Sequence, residues 1–126
     1  MTLRAFPVAY ASDVEAVAAF WELLGFRRHV QLPPEGEPGY IGLSRNGTGE
    51  LAVTHEAWAV DRYGLFPGSG PRFEMYVYVD DLDATVGRLI EANVKVLRDA
   101  EDMPWDERIA TVADPEGNPV ALCQSR

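Results

Sequence analysis

The sequence contains one cysteine, Cys123, among its 126 residues. A single thiol excludes a disulfide within the chain and fits a reducing compartment. The chain also has no apolar run of about 18 residues, the length that a membrane-spanning helix needs. Its first residues show no long apolar stretch with a small-residue cleavage site, so no secretion signal is predicted. These absences predict a cytoplasmic protein that does not enter a membrane.

Basic residues are scarce: 11 Lys and Arg stand against 20 Asp and Glu, and the net charge is −9. This charge repels nucleic-acid phosphates and anionic lipids, so neither is expected as a partner. It fits two interpretations, solubility alone or attraction of a cationic small molecule. No glycine-rich loop precedes a helix, and no Ser–His or Cys–His pair is indicated. Phosphate binding and nucleophilic catalysis are therefore not predicted.

Two segments of the chain share one helical pattern. Ser12–Glu15 is predicted to form a capping box that opens the first helix, and Asp80–Asp83 opens the second. Apolar residues recur at helical spacing in both, at Val14, Val17, Ala18, Trp21 and Leu24, and at Leu82, Val86, Leu89 and Ile90. Gly25 and Asn93 follow where helices end in a left-handed residue. Asp13 and Asp81 are 68 residues apart, as are Gly25 and Asn93, which indicates a duplicated unit.

Strand candidates surround each helix in the same order. They are Leu3–Tyr10, the extended chain from Phe26, Tyr40–Ser44 and Leu51–His55, then Arg72–Val79, Val94–Leu97, Arg108–Ala113 and Asn118–Gln124. Each half is therefore β-α-β-β-β. We predict one α+β domain over 1–126, with module 1 about 1–56, a connecting loop over 57–71 and module 2 about 72–126. The two modules are expected to form a curved mixed sheet with a concave ligand crevice and with helices on its outer face.

Side-chain alternation assigns the strand residues to faces. Ile41, Leu43, Val120 and Leu122 are predicted to pack under the helices. The residues predicted to face away from the helices include Tyr40, Glu74, Tyr76, Tyr78, Ala121 and Cys123. This second face is semi-polar and aromatic, a composition typical of ligand-binding surfaces.

The segment from Met103 to Leu122 is predicted to be an aromatic-tipped loop followed by a hairpin. Asp114-Pro115-Glu116-Gly117 has the residue types of a tight turn. Trp105 is either a stacking platform or a cap on the sheet edge. The acidic residues near it are either solvated or attract a cationic ligand: Asp99, Glu101, Asp102, Asp106 and Glu107.

With these features the chain resembles the glyoxalase/bleomycin resistance protein/dioxygenase (vicinal oxygen chelate) superfamily, and its bleomycin-resistance branch in particular. The segments that carry the resemblance are Phe6–Val14, Phe20-Trp21, Leu24–Phe26, Pro104-Trp105, Arg108 and Asp114–Asn118. The superfamily's enzymes bind a divalent metal, and the resemblance places its ligands at Phe6, Glu74 and Ala121. Phe and Ala offer no lone pair, and one carboxylate does not supply the three protein ligands of a catalytic metal. No metal, cofactor or catalytic residue is therefore expected.

The resemblance to the binding branch implies that the protein sequesters a flat aromatic antibiotic, in some cases a cationic one, for self-resistance or for carriage in biosynthesis. Aromatic side chains would stack on the ligand and acidic groups would balance its charge. The ligand-binding residues expected from the resemblance and the strand faces are Phe6, Tyr40, Trp58, Phe66, Glu74, Tyr76, Tyr78, Trp105 and Asp106. Asp106 is a departure, since the family usually has glycine after this tryptophan. A two-fold homodimer with two equivalent sites is also implied, either with exchange of the N-terminal strand at Pro7 or with the protomers side by side.

Other interpretations fit the same residues. A metal-dependent lyase, isomerase or dioxygenase of the superfamily would use Glu74 and His55 on a small oxygenated substrate. A structural dimerisation module would bury the aromatic face, including Tyr76 and Tyr78, between protomers. Glu74 is a partner for a ligand amine, a partner for a nearby arginine such as Arg108, or a remnant of the metal position. Cys123 is predicted to be an apolar filler, Trp21 a core residue and His55 a surface residue.

Overall fold

The computed structural model describes residues 4–126, and the chain divides into two compact units, Met1–Pro67 and Gly68–Arg126. The first unit contains β1 (Val8–Ala11), α1 (Val14–Leu23), β2 (Arg27–Leu32), β3 (Tyr40–Ser44), β4 (Glu50–His55) and α2 (Ala57–Tyr63). The second contains β5 (Met75–Tyr78), α3 (Leu82–Glu91), β6 (Val96–Asp102), β7 (Glu107–Ala113) and β8 (Pro119–Ser125). This order confirms the predicted α+β fold with two tandem βαβββ modules.

The two sheets have equivalent strand orders, β1-β4-β3-β2 and β5-β8-β7-β6. In each sheet the first pair is parallel and the other pairs are antiparallel. The predicted first strand starts at Leu3, which lies outside the described residues, whereas β1 starts at Val8. Pro7 precedes it, and its carbonyl accepts a hydrogen bond from the Ala52 amide of β4 at 3.0 Å. Proline has no amide to donate, so the regular ladder begins after it.

The two main helices begin at equivalent aspartates. Asp13 accepts a hydrogen bond from the Ala16 amide at 3.0 Å, and Asp81 accepts one from the Ala84 amide at 3.1 Å. The predicted Ser12–Glu15 capping box is therefore wrong by one residue. Because α1 begins at Val14, Asp13 occupies the N-cap position and Glu15 lies too early in the helix to close the box.

The helix ends match the sequence prediction. Gly25 has φ +91° and Asn93 has φ +66°, both in the left-handed region. The amide that follows each, of Phe26 and of Val94, donates back to the helix at Trp21 and Leu89, at 3.2 and 2.9 Å. These are paired Schellman caps, and they satisfy carbonyls that the last turn leaves open.

The core of the first unit lies between α1 and one face of its sheet. Trp21 is fully buried and makes edge-on ring contacts with Phe20 and Phe26 at 5.0 and 5.5 Å between centroids. Ile41 and Leu43 are also fully buried, as their strand positions predict. Burial of each such side chain contributes about 2 kcal/mol, so this face fixes the register of the sheet.

The core of the second unit forms in the same way under α3. Its buried residues are Val77, Leu82, Thr85, Leu89, Ala110, Val112, Val120 and Leu122. Ile90, predicted to belong to the apolar face of α3, is 54% exposed. The buried stripe is centred on Leu82, Thr85 and Leu89, and at 100° per residue Ile90 falls beyond its edge.

The predicted connecting loop over 57–71 contains helix α2 over its first half. The glycines and prolines that favour a loop all lie after residue 63, and Gly64 ends the helix with φ +69°. At the other end, His55 Nδ1 accepts a hydrogen bond from the Ala57 amide at 3.1 Å and so caps the first turn. The sequence prediction is wrong here because the residues that indicate a loop begin only at Gly64, whereas those before it are compatible with a helix.

Candidate functional site

The sheet face opposite α1 in the first unit carries a row of apolar and aromatic side chains. Tyr10 pairs in register with Thr54, Thr54 with Tyr40, and Tyr40 with Leu32. These four residues therefore point to one side across all four strands. Tyr40 lies away from the buried Ile41 and Leu43, as strand alternation predicts.

Helix α2 turns this face into a pocket of about 690 Å³. Its aromatic lining consists of Tyr10, Tyr40, Trp58 and Tyr63, and the remaining lining residues are Val8, Leu32, Gly39, Thr54, His55, Ala57 and Asp61. We call this the aromatic pocket. Two residues expected to bind ligand, Tyr40 and Trp58, thus lie together. Trp58 and Tyr63 are 52% and 58% exposed, so both rings offer surface to a bound molecule.

Charge in the aromatic pocket comes from α2. Asp61 is the one carboxylate among its lining residues. The neighbouring Arg62 guanidinium lies 5.2 Å from the centroid of the Trp58 ring and 5.9 Å from that of Tyr63, within cation–π range. His55 is exposed and lines the pocket, while its Nδ1 is used to cap α2. The pocket therefore combines flat apolar walls with one lining carboxylate, and the Arg62 cation lies against two of its rings.

A second pocket, of about 480 Å³, lies further along the same sheet face. Phe6 and Tyr40 line it, together with Arg4, His29, Ser44 and Glu50, so Tyr40 borders both pockets. Arg4 forms an ion pair with Glu50 and lies 5.2 Å from the centroid of the Phe6 ring. A β-bulge at residue 29 and the absence of a side chain at Gly42 let the His29 ring pack close to β3.

In the second unit, the sheet face away from α3 has a small apolar floor and aromatic edges. Ile109, Ala121 and Cys123 form the buried floor, with Met103 packed against it. Tyr76 and Tyr78 of β5 pair in register with Ala121 and Cys123 and are 58% and 50% exposed. Burial raises the pKa of the Cys123 thiol to about 11. The thiol is therefore protonated at neutral pH and behaves as the predicted apolar filler.

Glu107 joins two of the expected ligand-binding residues. The Tyr78 hydroxyl donates to Glu107 Oε2 at 2.6 Å, and the indole nitrogen of Trp105 donates to Glu107 Oε1 at 2.9 Å. Hydrogen bonding to this carboxylate raises the pKa of Tyr78 to about 12, with smaller contributions from desolvation and from the negative charge of Glu107. Glu107 is missing from the predicted ligand-binding residues, although alternation along β7 places it on the face of Ile109 and Thr111.

The loop that carries Trp105 is held at both ends. Asp106 has φ +62°, and its carbonyl accepts a hydrogen bond from the Arg126 amide at 3.0 Å. The Met103 amide donates to the Glu107 carbonyl at 2.7 Å. Trp105 is 57% exposed at the tip, so its ring offers surface for stacking.

The Asp114–Asn118 turn positions the β7–β8 hairpin. Asp114 is 4% exposed, and its Oδ1 accepts hydrogen bonds from the amides of Glu116 and Asn118 at 2.9 and 2.8 Å. The Asn118 side chain in turn accepts from the Arg72 amide, just before β5, at 2.9 Å. The turn therefore fixes β8 against the approach to β5, on which Tyr78 lies.

Comparison with known proteins places this geometry in a family. The model of the Glyoxalase/Bleomycin resistance protein/Dioxygenase superfamily matches residues 5–122. The chain belongs to this superfamily. No curated protein matches it in sequence.

Several solved structures share the superfamily fold. A hypothetical protein of S. aureus, SA1046, is 16% identical, with a TM-score of 0.79 over 98% of this chain and 94% of that one. TioX from Micromonospora sp. ML1 is 22% identical, with a TM-score of 0.76 over 98% and 99%. A bleomycin-binding protein complexed with bleomycin is 23% identical, with a TM-score of 0.63 over 99% and 100%. At these identities the likeness shows the fold alone.

The residues at the positions where the resemblance places the metal ligands do not fit a metal. Phe6 and Ala121 carry no donor atom, and Ala121 is part of the apolar floor. Glu74 is exposed, and Arg108 forms ion pairs with Asp83 and Asp102, so the predicted alternative of a Glu74–Arg108 pair is wrong. Within residues 4–126, no three His, Cys, Asp or Glu side chains are grouped as a metal site.

The remaining expected residue, Phe66, is 77% exposed and lines neither of the two pockets described above. Of the nine expected ligand-binding residues, the structure thus brings Tyr40 near Trp58, Phe6 near Tyr40, and Tyr78 near Trp105. In the part of the chain that is described, no helix has the length and apolarity to cross a membrane.

Proposed function

We propose that the protein binds a planar aromatic natural product, of the kind represented by antibiotics with fused or linked heterocycles, and releases it unchanged. The observation that carries this proposal is the aromatic pocket, where Tyr10, Tyr40, Trp58 and Tyr63 line about 690 Å³. Ligand sites in proteins are typically apolar cavities of this size with few polar groups. Flat rings suit these walls because aromatic pairs gain about 1 kcal/mol beyond their buried area.

The polar groups of the aromatic pocket support binding without chemistry. Apart from its tyrosines, the pocket is lined by three side chains that are chemically able to act as a nucleophile or a base: Thr54, His55 and Asp61. Thr54 Oγ1 donates to the Gly39 carbonyl at 3.1 Å, and His55 Nδ1 accepts from the Ala57 amide. Both are therefore used to hold the backbone. Asp61 would balance a positive charge on the ligand.

We infer that the active form is a homodimer, with self-resistance or carriage in biosynthesis as its role. Leu65 and Phe66 are exposed apolar residues that line neither of the two pockets described above, and they support a dimer because exposed apolar surface marks interaction sites. Exchange of the segment before β1 would use Pro7 as its boundary. Sedimentation equilibrium should give twice the chain mass of 13.9 kDa, and a monomer mass would contradict the dimer.

Titration of the intrinsic tryptophan fluorescence with bleomycin, acridine and N-methylacridinium tests the binding proposal. Trp58→Ala should lower the affinity for the compounds that bind by at least about tenfold, since it removes one wall of the aromatic pocket. Leu23→Ala, which changes an exposed apolar residue of α1, is the matched control and should leave affinity unchanged. Equal affinity of Trp58→Ala and the unchanged protein would contradict the proposal.

Metal analysis tests the enzymatic alternative directly. Protein purified without chelators should contain no stoichiometric divalent ion, because Glu74 is the one donor at the three superfamily positions. A bound ion that is lost in Glu74→Gln but retained in Glu91→Gln would overturn the assignment as a binding protein.

A further inference from the structure

The imidazole of His55 joins helix α2 to the aromatic pocket. His55 is the last residue of β4 and lines the pocket, and its Nδ1 accepts a hydrogen bond from the Ala57 amide at 3.1 Å. A ring nitrogen accepts from an amide only through a free lone pair, so Nδ1 carries no proton. In the neutral imidazole the proton is therefore on Nε2, and this nitrogen is a hydrogen-bond donor.

The same contact holds the donor in place. The bond from the Ala57 amide fixes the orientation of the ring, and Nε2 lies at the outer end of the ring, away from the backbone of His55. Within residues 4–126, no protein group accepts a hydrogen bond from Nε2. A donor whose ring is already oriented loses little entropy when a ligand binds, so it favours a ligand that supplies the acceptor.

The other polar side chains that line the aromatic pocket offer a ligand something different. The hydroxyl proton of Thr54 is donated to the Gly39 carbonyl at 3.1 Å. Asp61, when ionised, only accepts hydrogen bonds, and tyrosine hydroxyls rotate so that they donate or accept. Among the described residues that line the pocket, His55 is thus the one whose role as a side-chain donor is set by a contact to the backbone.

We propose that His55 Nε2 donates a hydrogen bond to an acceptor at the edge of the planar ligand, a ring nitrogen or a carbonyl oxygen. This inference rests on the proposed function and names the chemical class of its ligand, an aromatic ring system that carries such an acceptor. A ligand without the acceptor takes water from Nε2 and returns no hydrogen bond. The loss corresponds to an affinity about three- to tenfold lower, as for a neutral hydrogen bond.

Two dyes of nearly the same shape test the selection. Acridine is neutral at slightly alkaline pH and has a lone pair on its ring nitrogen, whereas in N-methylacridinium a methyl group occupies that position. The quantity measured is the ratio of the two affinities, acridine over N-methylacridinium. Comparing this ratio between protein variants cancels the effect of the dye's charge and of any general change in the pocket, and leaves the effect on the acceptor.

His55→Asn separates the two nitrogens of the ring. The asparagine Oδ1 lies near the position of Nδ1 and so keeps an acceptor for the Ala57 amide, but the shorter side chain has no group at the position of Nε2. The affinity ratio should fall by about three- to tenfold, through loss of affinity for acridine. The affinity for N-methylacridinium should stay within about twofold, because this dye has no lone pair for Nε2 to use.

Glu56→Gln is the control variant. Glu56 follows His55 directly, lies outside the lining of the aromatic pocket and makes no side-chain cap bond to α2. This variant should keep the affinity ratio of the unchanged protein. Thermal unfolding of both variants checks that each is folded at the titration temperature.

A measurement on the unchanged protein tests the tautomer without any substitution. Long-range ¹H–¹⁵N NMR spectra of the imidazole at the same pH should show His55 with its proton on Nε2. The Nε2 resonance should shift on addition of acridine. A proton on Nδ1 would overturn the proposal, because Nε2 would then have nothing to donate.

The possible outcomes separate this proposal from the proposed function. An unchanged affinity ratio in His55→Asn, or an equal change in Glu56→Gln, would overturn the selection by His55. The binding proposal would stand in that case, provided that Trp58→Ala still lowers the affinity for both dyes. If neither dye nor bleomycin binds, both proposals are overturned.

Discussion

Replacing Asp114 with alanine removes the carboxylate on which the β7–β8 turn is built. Its Oδ1 accepts from the Glu116 and Asn118 amides, and its Oδ2 accepts from the Asn118 side chain at 3.1 Å. Asn118 is 2% exposed. Water can replace the carboxylate at the partly buried Glu116 amide but not at the two buried donors of Asn118.

The cost follows from these two buried donors. A hydrogen bond to a charged group contributes about 1.5–3 kcal/mol, and a buried donor left without a partner loses its solvation as well. Because the two bonds to Asn118 share one acceptor group, their effects do not add fully. We expect Asp114→Ala to lower the free energy of unfolding by about 3–4 kcal/mol. The Asn118 contact to the Arg72 amide should weaken with it.

Urea denaturation followed by circular dichroism measures this loss. Asp99→Ala is the matched control, because Asp99 is exposed on β6 and has no side-chain hydrogen bond or ion pair in the described part of the chain. It should change the free energy of unfolding by less than about 0.5 kcal/mol. If the free energies of unfolding of the two variants differ by less than about 1 kcal/mol, the Asp114 carboxylate does not stabilise the turn as its hydrogen bonds imply.

Three further outcomes follow from local geometry. Asp13→Ala and Asp81→Ala should each cost about 1 kcal/mol in urea denaturation, since each removes one N-cap bond, and a cost at only one site would contradict their equivalence. Asp106→Gly should unfold at the same urea concentration or a higher one, whereas Asp106→Val should cost about 1–2 kcal/mol because its φ is +62°. Tyr78 should titrate at about 12, as its tyrosinate absorbance will show, and near its ordinary 10 in Glu107→Gln. The raised pKa means that the Tyr78–Glu107 contact stabilises the fold below pH 10 and is lost as the pH rises through about 12; an unshifted Tyr78 would refute that contact.

The duplicated framework could be predicted from sequence because its signals are local. Asp13 and Asp81, Gly25 and Asn93 each act within one helical turn, and their spacing is visible along the chain. The prediction at Ser12 missed by one residue, since two neighbouring cap-forming residues compete for one position and packing decides between them.

The aromatic pocket was only half predictable. Tyr40 follows from strand alternation, and Tyr10 faces the same way through the pairing of β1 with β4, but Tyr63 and Asp61 join it through helix α2, which the glycines and prolines after residue 63 obscured. Tertiary placement of a short helix of seven residues has little local signal.

Glu107 was overlooked for a different reason. Its link to Tyr78 joins residues 29 apart in sequence across an intervening strand, so it depends on the register of β5, β8 and β7. Alternation in β7 does place Glu107 on the same face as Tyr78. Alternation alone does not distinguish Glu107 from the other acidic residues around Trp105, and only the pairing of the strands does.

Binding of a planar aromatic molecule at the aromatic pocket of the first unit can be followed at the tryptophans by NMR. The chain has three tryptophans, and their indole N–H resonances report on three environments: Trp21 is fully buried in the core, while Trp58 and Trp105 are exposed. During a titration with N-methylacridinium, the Trp58 resonance should shift and saturate while that of Trp21 stays in place. A Trp58 resonance that does not move at saturating dye would contradict binding at the aromatic pocket.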